Sequence, residues 1–93
     1  MSVDFNQQDR LIEKLTDELP VLRARLRISQ DELSRRIGIS RQTYSLIETK
    51  KQKMTWVTFM AMIAFFDNNA RTKAALKDIG LTTDTYFTNL LQK

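Results

Sequence analysis

Apolar residues along this chain recur mostly at steps of three and four, the spacing of one face of an α-helix. Leu11, Leu15, Leu19, Leu22 and Leu26 make the first such line, which predicts a helical segment from about Asp9 to Arg27. Pro20 falls inside it. Proline lacks a backbone donor and its ring crowds the preceding turn, so a break or kink is expected there. The leading helix then ends near Leu19, and a second starts at Pro20, where proline suits a first turn. Ser29-Gln30-Asp31-Glu32 reads as a capping box, the serine satisfying one free amide while Glu32 reaches back to another. The helix it opens runs to Ile37, burying Leu33 and Ile37, and Gly38 ends it in a left-handed conformation. Ser40 caps the next helix, whose inward residues are Tyr44 and Ile47.

Past a basic loop over 50–54, Thr55 caps an apolar helix that continues to Phe66. Trp56, Phe59, Met60, Ile63 and Phe66 lie at core-like steps, and apolar residues also cover much of its remaining surface. Such a helix belongs at the centre of a bundle. Asp67-Asn68-Asn69 breaks it. A fifth helix over about 70–79 stops at Gly80, and a last one is expected from about Thr83 to Leu91, with Tyr86, Phe87, Leu90 and Leu91 apolar. The fold class is therefore all-α, a compact bundle of five to six helices. Ninety-three residues make one domain: an N-terminal helical extension over 1–19, a core over 20–66 containing two short helices joined by a glycine turn, and C-terminal helices over 67–93. That helix pair is the signature of a helix-turn-helix.

Composition then narrows the chemistry. The chain has neither cysteine nor histidine, which excludes disulfides and thiolate metal sites and removes the commonest general base and imidazole ligand. No cofactor and no metal is expected, and without paired carboxylates in an evident cleft no nucleophile and base can be assembled. Met1 to Asn6 lacks the basic start and apolar run of a secretory leader. The apolar stretch from Trp56 to Phe66 is too short to cross a bilayer. The expected compartment is the cytoplasm, with no membrane partner.

Net charge is +4, but its distribution is uneven. Between Pro20 and Lys53 nine basic residues face Asp31, Glu32 and Glu48, so this stretch carries +6 and the remainder −2. A polyanion-binding surface would be built this way; a solvated basic face is the competing reading.

Leu22-Arg23, Ser29-Gln30-Asp31-Glu32-Leu33, Ile37-Gly38-Ile39-Ser40, and then Tyr44, Ile47 and Glu48 resemble the phage-repressor or Cro-like helix-turn-helix family, also called the xenobiotic-response-element type. Residue types and spacings both agree, over about half the chain. The resemblance implies a bundle of lambda-repressor-like type whose second paired helix, over 41–49, enters the major groove of double-stranded DNA. It places the base-reading positions on Ser40, Arg41, Gln42, Ser45 and Leu46. Arg41 can donate twice to guanine, Gln42 can pair with adenine, and Leu46 can touch a thymine methyl. Phosphates would meet Gln30 at the start of the preceding helix, Arg36, and the lysines Lys50, Lys51 and Lys53. Solvation alone would also account for Arg41, Gln42, Arg35 and the lysines, and burial at the core's edge for Leu46. Trp56 reads as core.

Two positions depart from the family pattern. Glu48-Thr49-Lys50 stands where Glu-Asn-Gly is usual, so without glycine the helix is expected to run on a turn. Ser34 occupies the place of a small alanine, which it suits if its hydroxyl bonds back to the helix.

The function this implies is sequence-specific DNA binding by a homodimeric transcriptional regulator, a repressor, since one recognition helix reads too few base pairs alone. Phe87, Leu90 and Leu91 are the candidates for the dimer contact, with Leu11 and Leu15 as the alternative set. Two other readings stay open: an antitoxin, with a toxin as protein partner, and a protein-interaction adaptor that has lost DNA binding.

Overall fold

A computed structural model of the protein describes residues 5–81. They form five helices, α1 (Phe5–Leu26), α2 (Gln30–Ile37), α3 (Arg41–Glu48), α4 (Trp56–Asp67) and α5 (Ala70–Asp78), and no strand occurs among them. The expected helix over Thr83–Leu91, with Tyr86, Phe87, Leu90 and Leu91, lies outside the described residues.

The leading segment differs from expectation. α1 is one helix of 22 residues with Pro20 inside it, not two helices parted at Leu19. Leu15, Leu19 and Leu22 are fully buried while Pro20 is exposed, so the ring faces away from the core. The lost amide bond costs about 3 kcal/mol. Burying leucines on both sides of it contributes about 1.5–3 kcal/mol each. Tertiary burial outweighs the local penalty, and the helix ends six residues later, with Arg27 at φ +57°.

Three further helices start as their sequences direct. Ser29, Ser40 and Thr55 each sit in extended backbone and accept the amide three residues on, from Glu32, Thr43 and Thr58 at 3.0, 3.0 and 3.1 Å. Asn69 caps α5 through the Arg71 amide. The capping box at Ser29 is half formed, because the Glu32 carboxylate turns to Arg36 at 2.9 Å instead of reaching back. Gly38 ends α2 at φ +93°. A Cβ there would meet nothing within 4 Å, so glycine answers to the backbone angle and not to space.

α1 packs against α3, α4 and α5; α2 packs against α3 and α4, and α4 against α5. The shared core holds Leu11, Ile12, Leu15, Leu19 and Leu22 of α1, Leu33, Tyr44, Ile47, Met54, and Phe59, Met62, Ile63 and Phe66 of α4. Three expectations change. Trp56 and Met60 are only half-buried and flank the core, Ile37 likewise, while Met62 takes an inward place. The π-face of Trp56 stacks on Phe59 at 4.7 Å. Leu11 and Leu15 close the monomer's own core, which removes them as a dimer surface.

Candidate nucleic-acid interface

The outward side of α3 follows from its inward side. Tyr44 is fully buried and Ile47 is 2 % exposed, and these two anchors, three residues apart, turn the opposite face to solvent. Arg41 and Gln42 are exposed, and Ser45 and Leu46, one turn on, are half-buried beside them. Ser40 is exposed, but its hydroxyl is engaged in the cap, accepting the Thr43 amide and donating to the Thr43 hydroxyl at 2.9 Å. Of the five expected base-reading positions, then, four share one accessible face and Ser40 holds that face's first turn in place.

The end of α3 is not as expected. The helix stops at Glu48 instead of running on. Lys50 takes the left-handed angle at φ +65°, its amide donates to Ile47 O at 3.0 Å, and the Lys51 amide donates to Leu46 O at 2.9 Å. This is a Schellman stop with lysine in the glycine position. Thr49 supports it by donating its hydroxyl to Ser45 O at 2.9 Å. The strain of a left-handed lysine, about 1–2 kcal/mol, is tolerated because four terminal hydrogen bonds and the burial of Met54 just beyond fix the path of the loop.

Sequence reasoning missed the device that orients α3. The Glu48 side chain is only 10 % exposed. It accepts from Arg23 Nε and Nη2, both at 2.9 Å, from Gln30 Nε2 at 2.9 Å, and from the Tyr44 hydroxyl at 2.5 Å. Arg23 also donates through Nη1 to Ile28 O at 3.2 Å. One carboxylate thus ties α1, the start of α2 and the inner face of α3 at Tyr44. Burial pushes the Glu48 carboxyl up, but hydrogen bonds from Arg23, Tyr44 and Gln30 and the Arg23 charge more than offset it, holding it below its ordinary value. The hydrogen bond to Glu48 raises Arg23, against the opposing effect of burial. Burial, then the bond to Glu48, raises the Tyr44 phenol, which stays protonated far above neutral pH. The signal was present in the sequence, since Arg23, Tyr44 and Glu48 all stood among the matching residues, but nothing in their spacing says that they converge.

That network redefines one expected phosphate contact. The Gln30 side-chain amide is turned inward to Glu48, so what α2 offers an anion there is its backbone end. The other cations divide. Arg36 is paired with Glu32, and Arg35 lies 3.4 Å from Asp31. Lys53 is bound to Asp9 at 2.8 Å and Lys50 to Asp17. Arg41 and Lys51 have no ion pair among the described residues. Ser34 is buried and donates to Asp31 O at 2.8 Å, which is how a hydroxyl fits the alanine position.

Among the described residues no group of three His, Cys, Asp or Glu side chains converges as a metal site would require, and no helix is long and apolar enough to cross a membrane. The dimer candidates Phe87, Leu90 and Leu91 lie outside the described residues.

Residues 22–55 match the family described as Helix-turn-helix. No curated protein and no solved structure matches the chain. The matched stretch begins at Leu22, beside Arg23 of the network, and closes at Thr55, the cap of α4, so it encloses the helix pair together with the ties that orient it. With its paired short helices, its glycine hinge and its outward polar face, this segment is a helix-turn-helix of the phage-repressor, Cro-like kind, a module of DNA-binding regulators.

Proposed function

We propose that the protein is a sequence-specific repressor of transcription that binds double-stranded DNA as a homodimer and reads the major groove with α3. One observation carries the reading: Arg41 and Gln42 stand exposed on a helix whose opposite face is buried and whose far end is clamped by Glu48. A side chain on so fixed a helix meets a base edge in one geometry, and base discrimination needs that. Arg41 and Gln42 are the base readers, joined by Ser45 and Leu46, with Ser40 setting the helix start. Lys51 and the amino end of α2 take phosphates, with Arg36, Lys50 and Lys53 available once their carboxylate partners are exchanged.

A single α3 spans too few base pairs for useful selectivity. Two copies related by a two-fold axis would set two such helices about 34 Å apart, one turn of DNA. The test is selection of bound duplexes from a random pool. Enrichment of symmetric sites with half-sites one turn apart supports the reading, and an unenriched pool, bound equally well throughout, refutes it.

A further inference from the structure

The basic loop after α3 does not stand free in solvent. It lies along α1, where Asp9, Glu13 and Asp17 recur every four residues and so share one helix face. Lys53 Nζ is 2.8 Å from Asp9 Oδ1, Lys50 pairs with Asp17, and Glu13 sits between these two partners on the α1 side of a shared groove. The floor of that groove is formed by Ile12 and by Thr16, whose hydroxyl is turned away to the Ile12 carbonyl at 2.7 Å. The carboxylates on α1 stand on a rigid helix anchored by buried Leu11, Ile12 and Leu15. The loop is equally fixed by its Schellman stop and by buried Met54. These two ion pairs span 33 and 44 residues of sequence, so the fold brings them together.

We propose that this acidic face of α1 is an autoinhibitory contact, in which Asp9 and Asp17 stand in for DNA phosphates on Lys53 and Lys50 and lower the affinity of the protein for duplex DNA in general. The proposal rests on the DNA-binding reading above. Each lysine must leave a carboxylate before it can neutralise a phosphate, and the uncovered carboxylates then face the polyanion. Lys51, between them in sequence and without an ion pair among the described residues, is the loop cation that engages first. The contact sets a ceiling on the sequence-independent part of binding while leaving the base-reading face of α3 untouched.

The experiment compares the wild-type chain, D9N/D17N and the control E18Q/D78N, which gains the same charge outside the groove. Affinity for random-sequence duplex DNA is measured across a range of salt. Acylation rates of Lys50, Lys51 and Lys53 are read by mass spectrometry in the free proteins. The expected result is acylation of Lys50 and Lys53 at least threefold faster in D9N/D17N, with Lys51 unchanged. Random-duplex affinity at low salt should rise about tenfold, with the slope of log affinity against log salt steeper by about one to two, as expected when up to two further phosphates are neutralised. Equal affinity of D9N/D17N and wild type, or an equal gain in E18Q/D78N, overturns the autoinhibitory contact and leaves DNA binding standing. Failure of all three proteins to bind duplex at any salt overturns the DNA-binding reading and this contact with it. Binding by D9N/D17N alone supports both.

Discussion

Replacing Glu48 by glutamine tests whether one carboxylate holds the helix pair in place. The substitution keeps size and shape, removes the charge opposite Arg23, and turns one acceptor oxygen into a donor. Four donor contacts converge on this group, all within 2.9 Å, and a neutral amide cannot satisfy all of them. At least one donor is left facing another. Hydrogen bonds to a charged group contribute about 1.5–3 kcal/mol, and an unsatisfied buried donor costs about 1–3 kcal/mol. Removing one partner of a deeply buried ion pair costs about 3–5 kcal/mol. Arg23 keeps a side-chain exposure of 21 % and its bond to Ile28 O, which moves the expectation to the lower end, about 2–3 kcal/mol. For a domain of this size that is a fall in Tm of roughly 10–20 °C.

The pH dependence gives a second signature. The folded-state pKa of Glu48 lies below its ordinary value of 4.5. Its contribution is therefore present above about that pH and is lost as pH falls through the folded value. Urea unfolding followed by helix circular dichroism at pH 7 and pH 3 measures both effects. The gap between wild type and E48Q should be wide at pH 7 and narrow at pH 3. A cost under about 0.5 kcal/mol at pH 7 would be too small for the unsatisfied donor described above, and either that or a gap unchanged by acid would refute the role given to this network.

Other expectations follow from single sites. In a D17N background, where the Lys50 ion pair is already gone, K50G should raise stability by about 1 kcal/mol in thermal melts by relieving the left-handed lysine; unchanged or lower stability there would count against the strain. T72V should cost about 1–2 kcal/mol, because a fully buried hydroxyl donates to Phe66 O at 2.6 Å and no water can replace it; a neutral result in urea titration would count against that bond. R41A should cost about 1–3 kcal/mol of affinity for the selected site and relax preference at one base position, whereas K51Q should weaken binding to every sequence and flatten the salt slope by about one. Equal losses on all duplexes from both would contradict the roles assigned to them.

The sequence by itself determined where α2, α3 and α4 begin, where α2 ends, and the split of α3 into two faces. Caps at Ser29, Ser40 and Thr55 and the glycine stop at Gly38 act within four residues, so local chemistry suffices to place them. The burial of Tyr44 and Ile47 follows from helical period alone, and the exposure of Arg41 and Gln42 with it. Tertiary structure decided whatever depended on distant partners. Pro20 breaks a helix in isolation, yet α1 runs through it because leucines on either side are buried by other elements. Glu48 becomes a clamp only when α1 and α2 bring Arg23 and Gln30 to it from 25 and 18 residues away. Lys50 and Lys53 look like free cations until α1 presents Asp17 and Asp9. Periodicity and caps are properties of neighbouring residues, whereas the pairing of charges across a fold depends on where the chain returns, which spacing does not encode.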